Sequence, residues 1–284
     1  MRYIFLRYPN GRAKAVTLSY DDGCRADARL AETLTGYGMK CTFNLNGSTL
    51  HAPSFIITDE QIKELILDRG HEIAVHGAYH RAPGAVRAAA GIRDVLECRL
   101  DLEKRFDRIV RGMAYPDSGI RIYSNGETYE NTRRCLRDLG IVYARTLGGD
   151  NDDFRLPTDW YAWMPTAHHN NPALFEMVDK FLALDFKSIH SAGRYPRLFY
   201  LWGHSFEFDS RDNWDVIERF GERMGGHSDI WYATNMEIYD YVTAFHSLVF
   251  SADEHLVYNP TLKTLWMDVD ERPYSIAPGE TLRL

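Results

Sequence analysis

Three places in this chain put metal-ligating or proton-transferring side chains where an apolar run ends. The first is Ser19-Tyr20-Asp21-Asp22-Gly23, in which a hydrophobic run meets two adjacent carboxylates and Gly23 then permits a sharp turn. In isolation such a segment is an ordinary turn, with Asp22 capping the next helix. Adjacent residues on an extended chain point in different directions, however, so the two carboxylates are free to take separate tasks, one at a metal and one facing a bound water. The second place is His71-Glu72-Ile73-Ala74-Val75-His76-Gly77-Ala78-Tyr79-His80. Imidazoles at the spacing of His76 and His80 converge on one cation when the backbone turns helically beyond a strand. With a carboxylate from another strand end they supply two nitrogens and one oxygen and leave positions open for water. That set suits a catalytic Zn²⁺ and also Fe²⁺, Co²⁺ or Ni²⁺. His71 lies at the opposite end of the same run and is not expected to be a ligand. The third place is His204, which closes the apolar run ending Leu201-Trp202-Gly203. Arg111, in Arg111-Gly112-Met113-Ala114-Tyr115-Pro116, is costly to bury without a partner, and a carboxylate such as Asp21 would satisfy it.

These residues need a scaffold that gathers strand ends. Candidate strands are Ala15–Tyr20, Cys41–Leu45, Glu72–His76, Ile109–Tyr115, Ile141–Thr146, Arg197–His204 and Ile230–Thr234. Several are continuous hydrophobic runs, as parallel strands buried on both faces require. Helical stretches lie between them. The clearest is Asp59–Asp68, where Thr58 and Gln61 form a capping box and Gly70 supplies the stop. The others are Arg25–Tyr37, Ala85–Phe106, Glu127–Leu139, Ala173–Leu184, Trp214–Met224 and Met236–Phe245. Seven strand–helix units in a row predict a parallel barrel, whose active site gathers at the C-terminal ends of the strands. An open doubly wound sheet is the alternative. After Phe245 the pattern alternates apolar and polar residues, with turn signals at Asn259-Pro260 and Pro278-Gly279. The expected division is therefore a barrel over residues 1–245 and a small C-terminal β appendage over 246–284.

Composition narrows the function. With 45% hydrophobic and 26% charged residues among 284, the chain is an ordinary globular protein, neither disordered nor fibrous. A formal net charge of −7 argues against a nucleic-acid partner. No run approaches the roughly 18 apolar residues of a membrane span. MRYIFLRYPN contains no apolar stretch long enough for a signal peptide, and Cys24, Cys41, Cys98 and Cys135 form no CxxC pair. They read as free thiols, and a cytoplasmic location is expected.

Taken in order, the Asp21-Asp22-Gly23 run, the His76/His80 pair, the segment from Arg111 to Pro116 and the strand end at His204 resemble the motifs of NodB-like polysaccharide deacetylases, carbohydrate esterase family 4. The resemblance covers residues 14–234. It implies a distorted (β/α)7 barrel that hydrolyses N- or O-acetyl groups on sugars with one divalent metal, Zn²⁺ first and Co²⁺, Ni²⁺, Fe²⁺ or Mn²⁺ as alternatives. It further implies Asp21 as catalytic base, Asp22, His76 and His80 as metal ligands, Arg111 as the partner of the base and His204 as general acid. An oxyanion contact from the backbone N–H of Tyr115 follows from the same likeness. Trp160 and Trp163, in a loop-rich stretch with His168-His169, are candidate sugar-lining residues, with a structural role for the segment as an equal alternative.

The sequence departs from the family pattern at Gly77, where Ser or Thr is usual, and at Tyr115-Pro116, which lies far from Arg111. The acid that orients the catalytic histidine is matched only loosely, by Asp159-Trp160. Glu207, three residues past His204, reads as a solvated glutamate at a helix start, with a role in orienting His204 as the alternative. A glycoside hydrolase needs two carboxyls facing each other across the bond, which neighbours such as Asp21 and Asp22 cannot provide. A catalytically silent carbohydrate-binding protein would have lost Asp21 or His204, and both are present.

Overall fold

The computed structural model describes residues 1–149, 151–186 and 193–284. A short strand, β1 (Ile4–Arg7), precedes the barrel strands β2 (Lys14–Asp21), β3 (Cys41–Leu45), β4 (Glu72–Val75), β5 (Gly112–Ala114), β6 (Tyr143–Arg145), β7 (Ala167–His168) and β8 (Arg197–Gly203), and β9 (Ile230–Tyr232) follows. The helices are α1 (Ala26–Gly36), α2 (Asp59–Gln61, running into a π-helical turn at Ile62–Leu67), α3 (Ala88–Phe106), α4 (Tyr129–Asp138), α5 (Leu174–Leu182), α6 (Phe206–Arg211), α7 (Asp215–Met224) and α8 (Asn235–His246). The capping box expected at Thr58 and Gln61 is formed, and a second one, Thr234 with Glu237, opens α8.

The parallel sheet runs in the order β6-β5-β4-β3-β2-β8-β7. Its two edges meet through Trp163, which bridges Arg145 in parallel. The Thr146 N–H donates to the Trp163 carbonyl at 2.9 Å and the Trp163 N–H to the Ala144 carbonyl at 3.1 Å. The architecture is thus the seven-stranded (β/α) barrel expected, with one change in which segment completes it. Residues 163–169 form the seventh wall, where Ile230–Thr234 was expected. β9 instead pairs with Lys14–Val16 of β2. β3 joins β2 only from Leu18 onward, so the lower edge of β2 is open and β9 fills it. The segment 163–169 has no apolar run to announce a strand.

Alternation along the strands separates two environments. On β2, Val16, Leu18 and Tyr20 point outward into the layer shared with α1, α3 and α7, as do Phe43, Val75, Met113 and Leu201 on neighbouring strands. Thr17, Ser19 and Asp21 share the opposite parity and point inward, where the lining is polar: Thr42, Asn44, Glu72, Tyr143, Arg145 and Asn235. A barrel so filled at its lower end leaves its functional groups at the strand C-termini.

Beyond α8, the strands β10 (Val249–Phe250), β11 (Leu256–Tyr258), β12 (Leu265–Val269), β13 (Arg272–Ile276) and β14 (Thr281–Arg283) form two antiparallel sheets, β1-β12-β13 and β10-β11-β14. β1 pairs with β12 from Ile4↔Val269 to Arg7↔Trp266, so one of these sheets spans the expected division at 245/246. Val257, Leu265, Met267 and Ile276 pack with Tyr8, Tyr241 and Val242 in a second core, which continues into the barrel through Ala15, Leu198 and Tyr200. Among the described residues, no helix is long and apolar enough to cross a membrane.

Candidate metal and catalytic site

Asp22 leaves β2 with φ 80°, a left-handed conformation that a non-glycine residue adopts at a cost. Had the strand continued extended, Asp22 would face the helix layer, opposite to Asp21. The positive φ turns its carboxylate back over the barrel mouth. There Asp22 Oδ1 lies 3.6 Å from His76 Nε2 and 3.5 Å from His80 Nε2. Ligands held about 2.0–2.2 Å from a tetrahedral ion stand about 3.4 Å apart, so these separations fit one cation. The hydrogen bonding agrees. His76 Nδ1 donates to the Ala114 carbonyl at 3.0 Å, which leaves the Nε2 lone pair facing the group. Both His76 Nε2 and Asp22 Oδ1 are buried without a hydrogen-bond partner, a costly arrangement that a cation would relieve.

Asp21 sits inside this group and is 1% exposed. Asn44 Nδ2 donates to its Oδ1 at 2.8 Å and Arg145 to its Oδ2 at 2.5 Å. Burial would raise its pKa, but Arg145, with His76 and His204, outweighs that and holds it below the ordinary carboxylate value. The arginine is therefore Arg145, and the expectation for Arg111 is corrected. Arg111 precedes β5 at its lower end and shares the outward parity of Met113; its guanidinium bonds Asp240 at 3.2 Å. Arg145 ends β6 with inward parity, fully buried, with its guanidinium 4.4 Å over the Trp202 ring. The argument that singled out Arg111, an arginine in an apolar run, applies equally to Ile141-Val142-Tyr143-Ala144-Arg145 and would have found it.

His204 emerges from β8 with Nε2 at 3.9 Å from Asp21 Oδ2 and 4.0 Å from Asp22 Oδ2. Its Nδ1 faces Glu207 Oε1 at 3.7 Å. Burial lowers the histidine's pKa, while Glu207 and the two aspartates raise it further than that, for a net increase. Glu207 is not the solvated residue expected. Asn170 Nδ2 donates to its Oε2 at 2.9 Å, and His168 Nε2 and His169 Nε2 lie 3.3 and 3.0 Å from the same oxygen. Burial would raise its pKa, but His169 and His204 hold it far below the usual range. His168, His204 and Glu207 also have the spacing of a metal set. Yet His168 Nδ1 accepts the Asn170 N–H at 3.1 Å, so its proton is on Nε2, directed at Glu207. The cluster is a donor array around a carboxylate that faces His204.

Three expected substrate contacts are not brought to this site. The Tyr115 N–H is already given to the Arg145 carbonyl at 3.0 Å and its hydroxyl to the Tyr161 carbonyl at 2.8 Å, so neither is free for an oxyanion. Trp163 is 1% exposed and packs edge-on against Tyr143 and Tyr200 in the lower core. Trp160 meets Trp163 and Tyr239 edge-on. Asp159 accepts from Tyr129 and caps the turn at Tyr161, away from His204. Among the described residues, aromatic rings that flank the site are the buried Trp202, 5.9 Å from the His204 ring, and two half-buried ones: Phe206, 5.4 Å from the His204 ring, and Phe55, 6.0 Å from Phe206. Phe55 is tied to the start of α1 through the Arg25 N–H to Phe55 carbonyl bond of 2.8 Å.

Residues 8–144 match the family model described as polysaccharide deacetylase, a span that contains Asp21, Asp22, His76 and His80. Among solved structures, a Mycobacterium smegmatis protein described as a polysaccharide deacetylase is similar at 16% identity and TM-score 0.59, covering 87% of this chain and 96% of that one. The PuuE allantoinase is similar at 14% identity and TM-score 0.58, covering 84% and 93%. A family 4 carbohydrate esterase from Streptomyces lividans, in complex with acetate, is similar at 14% identity and TM-score 0.50, covering 78% and 92%. At these identities the structures speak for the fold, and together with the family model they bear out the resemblance read from the motifs. No curated protein matches the chain.

Proposed function

We propose that this chain, which has the NodB-like barrel and matches the polysaccharide deacetylase model over residues 8–144, is a metal-dependent hydrolase that removes an acetyl group from a carbohydrate. The observation that carries this reading is the convergence of Asp22, His76 and His80, with two buried ligand atoms unpartnered, directly beside Asp21 and His204. A divalent cation held by those three residues, Zn²⁺ by the chemistry of the donors, supplies Lewis acidity at the scissile carbonyl.

The chain's own residues supply the proton transfers. Asp21 accepts the proton of the attacking water, with its carboxylate plane set by Asn44 on one oxygen and Arg145 on the other. His204 donates through Nε2 to the departing nitrogen or oxygen, while Glu207 faces Nδ1 and favours the tautomer with Nδ1 protonated. The leaving sugar then lies on the His204 side, where Phe206 and Phe55 offer apolar faces for its C–H surface.

Acetate release from acetylated mono- and oligosaccharides, with and without chelator, tests the proposal. Release that stops with chelator and returns with Zn²⁺ is expected. Metal-loaded protein that frees no acetate from any such sugar, yet opens a cyclic amide of the kind an allantoinase acts on, would overturn the carbohydrate reading.

A further inference from the structure

The loop from His76 to His80 must place two ligand histidines within a few residues, and its backbone is unusual. Gly77 has φ 81° and His80 φ 53°, both in the left-handed region. Position 77 carries no side chain to brace the turn. The bracing comes from α3. Asp94, which is 2% exposed, accepts the Tyr79 N–H on Oδ1 at 2.5 Å and the Arg81 N–H on Oδ2 at 3.4 Å, the latter a long bond. Its own carbonyl accepts the Ala78 N–H at 3.0 Å. The donors at 79 and 81 bracket His80. A Cβ on residue 77 would overlap Asp94 Oδ2, so the absent side chain is what lets the carboxylate in. Asn46 holds the loop's other flank, its Nδ2 donating to the His76 and Gly77 carbonyls at 2.7 and 3.1 Å.

We infer that Asp94 is the positioning residue for the His80 ligand, setting metal affinity by holding the 78–81 backbone from α3 in the place a side chain at position 77 would otherwise occupy. The inference rests on Asp22, His76 and His80 being the metal ligands. Its physical basis is the conformation of His80. A left-handed non-glycine residue returns to a commoner region once nothing holds it, and its imidazole then leaves the Asp22 carboxylate. A charged carboxylate receiving backbone N–H groups is among the stronger ways to hold such a turn.

The experiment is Zn²⁺ affinity by competition with a chromogenic chelator, with thermal unfolding of the metal-free protein alongside. Asp94→Ala is expected to bind Zn²⁺ about 10–100-fold more weakly, the usual cost of losing a group that orients a ligand. Asp94→Asn keeps one carbonyl acceptor and is expected to retain most of the affinity. Leu102→Ala, a buried residue about two turns further along the same helix, serves as the control: stability falls and affinity stays. An Asp94→Ala protein with unchanged affinity overturns the inference, as does an equal loss of affinity in Leu102→Ala. A wild-type chain that binds no Zn²⁺ overturns the ligand assignment itself, and this inference with it.

Discussion

Strand β4 is flanked by a histidine at each end, and the fold treats the two in opposite ways. At the lower end, His71 Nδ1 accepts the Cys41 N–H at 3.0 Å and Nε2 meets the Thr35 hydroxyl at 2.9 Å. Both ring nitrogens are engaged, and burial pushes its pKa down to about 4. At the upper end, His76 engages only Nδ1 and leaves Nε2 bare beside two carboxylates. The arginines divide likewise: Arg111, half-exposed at the lower end, pairs with Asp240 on α8, whereas Arg145 is sealed against Asp21 at the top. Residue type therefore says little by itself. For these two histidines the difference is whether the fold engages both ring nitrogens or buries one and leaves it open beside carboxylates.

The sharpest way to break this contrast lies at the adjacent aspartates. Asp22→Ala should lose the metal and all activity with it. Asp21→Asn should keep the metal while turnover falls about 10²–10⁴-fold, as removal of a general base does. Metal content measured beside acetate release decides the matter, and a reversed pattern would exchange the two roles. Next in size are the arginines. Arg145→Met strands a buried carboxylate and should cost about 3–5 kcal/mol in urea unfolding of the metal-free protein. Arg111→Met removes a half-exposed pair and should cost under about 1 kcal/mol. Equal costs would contradict the assignment of Arg145 as the partner of Asp21.

His71 makes a pH-dependent case. Its folded pKa of about 4 lies below the 6.5 of a free imidazole, so the unfolded chain takes up the proton first. Stability from this residue is complete above the unfolded value and is lost as pH falls toward the folded one, by roughly 3 kcal/mol in all. His71→Asn, whose carbonyl can replace the Nδ1 acceptor, should be less stable at pH 7 yet lose less between pH 7 and 4.5. A parallel decline in both proteins would show that other groups govern the acid limb. The smallest effect is expected at the rim: Phe206→Ala should raise KM for an acetylated oligosaccharide about fivefold, on the order of 1 kcal/mol, and leave a small activated acetyl ester unaffected.

Much of the scaffold was legible because its signals are local. Buried parallel strands write themselves as apolar runs, and Asp21-Asp22-Gly23, His76 with His80, and His204 each sit where such a run stops. The capping box at Thr58 could be read from four residues. The strand at 163–169 could not, because two residues of Ala167–His168 carry no periodicity and its place is set by backbone bonds to Ala144 and Tyr200. Trp160 and Trp163 looked like sugar platforms because an aromatic ring suits a core as well as a groove, and only burial tells the two apart.

What the sequence determined alone, then, is the set of residues waiting at the strand ends, since a run of apolar residues and the turn that stops it are properties of neighbours in the chain. Only the tertiary structure decided which partners they have. Asp21 and Arg145 are separated by 124 positions, and Glu207 meets Asn170 across 37. The first pairing depends on strand register and on inward or outward parity, the second on where α6 and the turn after β7 are brought together. A shift of one residue in either strand would turn the side chain to the opposite face, and nothing in the local sequence records which register the closed barrel adopts.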